Sequence, residues 1–371
     1  MSAVPAALAR LGWDEGWAAA FARLRTERPG DGWVPARVTI EHRGACEVAW
    51  GGGSLLATLT GRLRHGAGPG DLPAVGDWVA IAARPAERTA SIHAVLPRRT
   101  ALVRRAAHDH AIPVQVLAAN VDVVLVATSL NRDLNARRLE RYLAVAWESG
   151  ARPVVVLTKT DLARGPVEIA IAEVAVAEVA AGVPVLAVSA WTGNGLDAVA
   201  GLARDGTIAV VGSSGVGKST LINALAGEQL LATREIRQDD ARGRHATTRR
   251  QLVVLPGGGC LVDTPGLREL GLWGDEAGLT AAFADVEGLA EGCRFSDCAH
   301  EREPGCAVVA AVANGELAAD RFTGWQKLRR EERHVLLEQD ALARREERRR
   351  WTVIGRAGAA RAALKRGERA P

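Results

Sequence analysis

The nine residues Gly212–Thr220 read GSSGVGKST and fit the spacing G-x4-G-K-[ST]. An apolar run over 207–211 precedes them and a helix-forming run over 220–226 follows. A strand, a glycine-rich loop and a helix in that order commit this part of the chain to an α/β layer. The glycines let successive backbone N–H groups close around an anion at a helix N-terminus. Gly212, Ser213, Ser214, Gly215, Val216 and Gly217 are therefore expected to cradle phosphates. Lys218 is expected to reach the β- and γ-phosphates and Ser219 to hold Mg²⁺, with Thr220 completing the set. The residues expected to read the base lie before this loop, not after it.

A chain of 371 residues is long enough for two or three domains with their own cores. Its net charge of +4 is unevenly spread. Residues 321–371 hold fifteen Lys/Arg against seven Asp/Glu, a larger surplus than that of the whole chain. Such a tail suits a phosphate-rich partner, and a solvated charged helix is the plain alternative. No run of 18 uncharged apolar residues occurs, so no membrane span is expected. Asp14 and Glu15 interrupt any signal-peptide core, so a cytoplasmic protein is expected.

Residues 1–30 read as one amphipathic helix. From 33 to about 105, short alternating runs punctuated by Gly51–Gly53 and by Gly66, Gly68 and Gly70 suggest a small closed barrel. An OB-type barrel would suit RNA, and a plain β scaffold fits the spacing equally well. From about 112 the pattern turns α/β. Strands are expected over 121–127, 153–157 and 183–188, and helices over 134–149 and 168–181. That alternation implies a parallel sheet with right-handed crossovers.

Val154–Asp161 reads VVVLTKTD, a buried strand ending in [NT]-K-x-D. This is the guanine-specificity signal of P-loop GTPases. The Asp161 carboxylate can accept from guanine N1–H and from the exocyclic amine, which adenine does not offer in that arrangement. Lys159 is expected along the base plane beside Thr160, and Thr158 stands where Asn is commoner. After the next strand, Ser189 and Ala190 are placed to offer a backbone N–H to guanine O6; an ordinary strand–helix loop is the alternative. Beyond the phosphate loop, GRHATT offers Thr247 and Thr248 for Mg²⁺ and the γ-phosphate. The strand over 259–262 ends in DTPG, with Asp263 placed to support Mg²⁺ and Gly266 to sense the γ-phosphate. Leu267 stands where many GTPases carry a water-orienting Gln, and an apolar side chain cannot orient water. His245 is the nearest candidate supplier, alongside a surface or RNA-facing role.

Three of the five cysteines and one histidine fall within fourteen residues, in Cys293-x4-Cys298-x-His300-x5-Cys306. Three thiolates and one imidazole make a closed tetrahedral zinc site with no open position, hence a structural one. Cys46 and Cys260 read as core thiols.

Base-reading motifs followed by the phosphate loop reverse the usual GTPase order, as relocated termini would do. A circularly permuted GTPase flanked by an OB-type barrel and a Cys3His module resembles the RsgA (YjeQ) family. The resemblance rests on GSSGVGKST, GRHATT, DTPG and Cys293–Cys306, and covers residues 33 to about 330. It implies a multidomain chain: an N-terminal helical extension (1–32), an OB-type barrel (33–111), a circularly permuted α/β P-loop GTPase domain (112–280), a helical zinc-binding domain (281–345) and a basic tail (346–371). It implies a GTP phosphohydrolase with Lys218, Thr248 and His245 in catalytic roles, Mg²⁺ with GTP and one structural zinc. The small ribosomal subunit and its 16S rRNA would be the partners of a monomer. The subunit would stimulate hydrolysis, and hydrolysis would drive release or a maturation checkpoint. GTP contacts at Gly266 and at Thr247 or Thr248 would change the angle between two RNA-binding modules. A zinc-containing RNA scaffold with a structural nucleotide and an ATPase are the alternatives. Intact Lys218, Ser219 and Asp263 favour an enzyme, and Asp161 speaks against ATP.

Overall fold

The computed structural model describes residues 6–28, 32–68, 70–105, 114–130, 134–204, 206–228, 250–263, 276–301 and 303–333. The N-terminus forms two helices where the sequence suggested one: α1 (Ala6–Ala9) and α2 (Glu15–Glu27). Gly12, at φ 85°, breaks the run. Asp14 then restarts it by accepting the Trp17 N–H at 2.8 Å, so a free amide at the helix start is satisfied.

Five strands follow, β1 (Val34–His42), β2 (Ala45–Trp50), β3 (Gly53–Leu59), β4 (Trp78–Arg84) and β5 (Thr89–Val95), with α3 (Gly61–Gly66) after β3. Their pairing runs β1-β2-β3-β5-β4 and closes through β1–β4, which makes a barrel without free edges. Ala36, Val38, Val48, Ala57, Val79, Ile81 and Ile92 fill its interior. Cys46 is buried there too.

A separate antiparallel pair, β6 (Ala101–Arg105) and β7 (Val114–Ala119), leads into the α/β part. Its elements are β8 (Val123–Ser129), α4 (Ala136–Glu148), β9 (Arg152–Thr158), α5 (Pro166–Val179), β10 (Val185–Ala187), α6 (Leu196–Ala203), β11 (Thr207–Gly212), α7 (Lys218–Ala226), β12 (Gln251–Val254) and β13 (Cys260–Asp263). The order β10-β9-β8-β11-β13 is parallel throughout, and β12 adds an antiparallel strand. Alternation along β8 serves both faces. Val124 and Val126 join Leu139 and Leu143 of α4, while Val123 and Leu125 join Val199 of α6 and Leu221 of α7. All seven residues of β8 are buried, as a strand covered on both sides requires.

Helices α8 (Glu276–Ala282), α9 (Ala284–Ala290), α10 (Ala307–Asn314) and α11 (319–333) complete the described chain. Among the described residues no helix is long and apolar enough to cross a membrane.

Two junctions hold these parts together. At the first, Trp13 meets Trp78 of the barrel edge-on, ring centres 4.6 Å apart. Arg37, fully enclosed, donates to the Gly76 and Asn120 carbonyls at 3.1 Å each and to the Leu11 carbonyl. It thereby joins the N-terminal helices, the barrel and the entry to the α/β sheet. Backbone pairing of Ile40 with Gln251 also links the barrel to β12. At the second junction Arg321 of α11 bonds both Asp285 oxygens at 2.9 and 2.7 Å, Glu140 of α4 at 3.1 Å, and the Ala282 and Val179 carbonyls.

Candidate nucleotide site and metal centre

The parallel sheet places the ends of β8, β9 and β11 side by side. Gly212, the last residue of β11, takes φ 143°, and a side chain there would collide with the Ala127 carbonyl of β8. Only glycine fits both the backbone angle and that approach. The loop then turns through Gly215 and Gly217 into α7, whose first residue is Lys218. Lys218 Nζ curls back to the Gly212 and Ser213 carbonyls at 2.8 and 2.5 Å. Its ammonium thus sits over the loop that a phosphate would occupy.

The base-reading motif meets this loop directly. Thr158 Oγ1 lies 2.5 Å from the Val216 carbonyl and 3.0 Å from the Thr128 carbonyl. A hydroxyl has one proton, so it donates to one of them at a time. Lys159, in the left-handed region at φ 60°, reaches along the loop and donates to the Gly215 carbonyl at 2.5 Å. Ser189 Oγ donates to Asp161 Oδ1 at 2.6 Å and orients that carboxylate. From the sequence alone, Ser189 and Ala190 are expected to act only through a backbone N–H. Hydroxyl and carboxylate follow the ends of two adjacent parallel strands, a register that the sequence does not display. Ser189 is buried, and Thr160 and Ala190 are partly exposed beside it.

Asp263 closes β13 close to Lys218. Burial pushes its carboxyl up to about 6, and the Lys218 charge opposes that rise. Its buried Oδ2 has no hydrogen-bond partner among the described residues. An enclosed, unpartnered carboxylate oxygen beside the phosphate loop suits a divalent cation. Thr247, Thr248, His245, Gly266 and Leu267 lie outside the described residues.

At the other centre Cys293, Cys298, His300 and Cys306 converge, with all four potential ligand atoms within 4.8 Å of one another. His300 Nδ1 lies 3.5 Å from Cys293 Sγ and 3.4 Å from Cys306 Sγ, and the two sulfurs are 3.9 Å apart. Metal–ligand bonds of about 2.0–2.3 Å in a tetrahedron give edges of roughly 3.5–3.8 Å, so the donor set fits one zinc ion. Backbone N–H groups of Ala307 and Val309 point at Cys293 Sγ and Cys306 Sγ at 3.3 and 3.4 Å and would favour thiolates. Burial, reinforced by Arg329, holds the His300 imidazole below its usual range, in the neutral form that binds metal. Trp325 of α11 packs edge-on to it at 5.4 Å. A basin of about 220 Å³ beside the cluster is lined by Ser296, Gln326, Arg329, Arg330 and Arg333 among others.

The model of the RsgA GTPase family matches residues 95–273. A protein of Opitutus terrae named small ribosomal subunit biogenesis GTPase RsgA is 49% identical over 362 residues, spanning 94% of this chain and 95% of that protein. A Streptomyces coelicolor protein of the same name is 46% identical over 361 residues, 97% of this chain and 96% of its own length. The crystal structure of YjeQ from Thermotoga maritima superposes with a TM-score of 0.60 at 26% identity, covering 82% of this chain and 99% of that one. The structure described as YloQ, a circularly permuted GTPase, shares the fold with a TM-score of 0.59 at 21% identity, covering 83% and 96%.

Proposed function

The chain belongs to the RsgA family of GTPases, and from that premise we propose that it hydrolyses GTP to GDP and phosphate during late maturation of the small ribosomal subunit, which stimulates the reaction. The contact of Thr158 with the Val216 carbonyl supports this most, because it joins a base reader to a phosphate loop. Asp161, held by Ser189, accepts from the guanine edge, and the Ala190 N–H serves O6. Thr158, Lys159 and Thr160 position that reader.

Gly212–Gly217 present amides to the phosphates, and Lys218 leaves the Gly212 and Ser213 carbonyls to neutralise the β- and γ-oxygens. Ser219 and Asp263, with Thr247 and Thr248, would hold magnesium, which when bound spreads the charge of the leaving phosphate. Gly266 senses the γ-phosphate. His245 supplies the water-orienting function that Leu267 lacks. Cys293, Cys298, His300 and Cys306 hold one structural zinc. The OB-type barrel and the basic basin at Arg329, Arg330 and Arg333 contact 16S rRNA through its phosphates, and hydrolysis shifts one RNA-binding module against the other before release.

The test compares GTP with ATP hydrolysis, with and without purified small subunits, for the wild type and Lys218→Ala. Unassisted GTP turnover should be slow, on the order of 10⁻³ to 10⁻² per second, and should rise with subunits. Lys218→Ala should abolish it under both conditions, and His245→Ala should lower the stimulated rate more than GTP affinity. Equal use of ATP, or retained turnover in Lys218→Ala, would refute the assignment.

A further inference from the structure

Tryptophan is the side chain that a folded chain can least afford to leave in water, and Trp13, Trp17, Trp78 and Trp325 are all buried. Trp191 is 86% exposed, the most exposed of the large apolar side chains described. Its backbone is nevertheless tightly held. It lies in the turn between β10 and α6, where the Ser189 N–H donates to the Asn194 carbonyl and the Gly193 N–H to the Ser189 carbonyl, both at 2.9 Å. The Thr192 N–H also donates to Ser189 Oγ at 3.1 Å. That same Oγ is the one bonded to Asp161. The turn therefore holds the Trp191 backbone two residues from the serine whose hydroxyl aims the base-reading carboxylate. Thr160 N–H reaches the Val188 carbonyl at 3.4 Å, so the 158–161 and 188–192 segments are direct neighbours.

We propose that Trp191 stacks on the guanine base: with its edge on Asp161, the base lies with one face toward the Lys159 stem, which crosses the phosphate loop to Gly215, and the other against the Trp191 indole. The inference rests on the guanine-nucleotide reading above and adds a residue to it. Stacking of a base on an aromatic face depends on contact area and scarcely on which base is present. Trp191 thus sets affinity, whereas Asp161 sets the choice of guanine over adenine. The contact is the same in the ground and transition states, so its loss falls on KM more than on kcat.

The experiment measures GDP, GTP and ATP binding to the full chain by calorimetry, together with the change in tryptophan fluorescence on adding GDP. Trp191→Ala should weaken GDP and GTP roughly 5- to 100-fold and retain the guanine preference. Trp191→Phe should keep most of the affinity but lose the GDP-dependent fluorescence change. The melting temperature should barely move in either variant, because the side chain packs on little of the protein. Unchanged GDP affinity in Trp191→Ala, with guanine preference intact, would overturn the stacking contact and leave the GTPase reading standing. The same result accompanied by weaker binding to small subunits would transfer Trp191 to the RNA surface. A wild type that binds ATP as tightly as GTP would sink the reading itself, and the stacking contact with it.

Discussion

Two buried arginines fasten the parts of this molecule, and they are stabilised in different ways. Arg37 is ringed by neutral acceptors: the Leu11, Gly76 and Asn120 carbonyls, with the Trp78 ring 5.4 Å from its guanidinium. Arg321 is clamped by two carboxylates, Asp285 and Glu140, and lies 4.2 Å over the Phe283 ring. The carbonyls that hold Arg37 have no proton to gain, so these hydrogen bonds do not themselves titrate in the acid range. The acceptors that hold Arg321, beside the Cys/His cluster, include two acids and respond to pH. Removing the cation leaves dipoles unmet in one case and a buried charge unmet in the other, and the second costs more.

Metal removal should separate the two junctions most sharply. Structural zinc contributes roughly 10–16 kcal/mol to small modules of this kind. A strong chelator should therefore abolish hydrogen-exchange protection in α10 and α11 and expose the Arg321 node. Protection around Arg37, in β1 and at Asn120, should remain. Equal loss at both places would mean that they form one cooperative unit.

Next in size is the pair of substitutions. Arg321→Ala should cost about 3–5 kcal/mol by stranding Glu140, and Arg37→Met about 2 kcal/mol by orphaning carbonyls. Denaturant unfolding would measure both, and a larger loss for Arg37→Met would invert the comparison. The smallest effect concerns pH. Burial raises the Glu140 carboxyl above its ordinary value of 4.5, against the pull of Arg321. Ionising it therefore costs stability as pH climbs from that value through the folded one. For Asp285 burial also pushes upward, but Arg321 outweighs it and leaves the group below 3.8. Its contribution is present above that value and fades as pH falls through the folded one. Glu140→Gln deletes only the first effect. The melting temperature of the variant should gain on that of the wild type as pH rises above the ordinary Glu value of 4.5, and a constant difference would exclude the mechanism.

These junctions were invisible in the sequence for a simple reason: Arg37 meets Asn120 across 83 residues and Arg321 meets Glu140 across 181. No local pattern marks either arginine. The phosphate loop and the metal cluster were legible because their chemistry is written in short spacings, G-x4-G-K-S for one and four ligands within fourteen residues for the other. The strands of the α/β sheet were legible from their apolar runs, since burial on both faces favours apolar residues along most of a strand. The N-terminus was misread as one helix because a helical pattern tolerates a single glycine. Only the left-handed angle of Gly12 and the Asp14 cap that follows make it a break. Ser189 was assigned through its backbone alone, because its hydroxyl meets Asp161 only once β9 and β10 lie in parallel register.

The 181 residues between Glu140 and Arg321 are also an interval of time. At synthesis rates of about 5–20 residues per second, a nascent chain waits roughly 10–40 s between the acid and its cation. The Arg37 cage draws on Leu11, Gly76 and Asn120, so it can close before α4 has been made. Glu140, in the middle of a helix whose neighbours Leu139, Leu143 and Val145 are already committed to the core, must stay hydrated until the C-terminal helix arrives. A chain terminated before residue 321 keeps that carboxylate without its cation, so drying the α4 surface carries the cost of an unpaired buried acid. Completion of translation is in this way registered by the burial of a single charge.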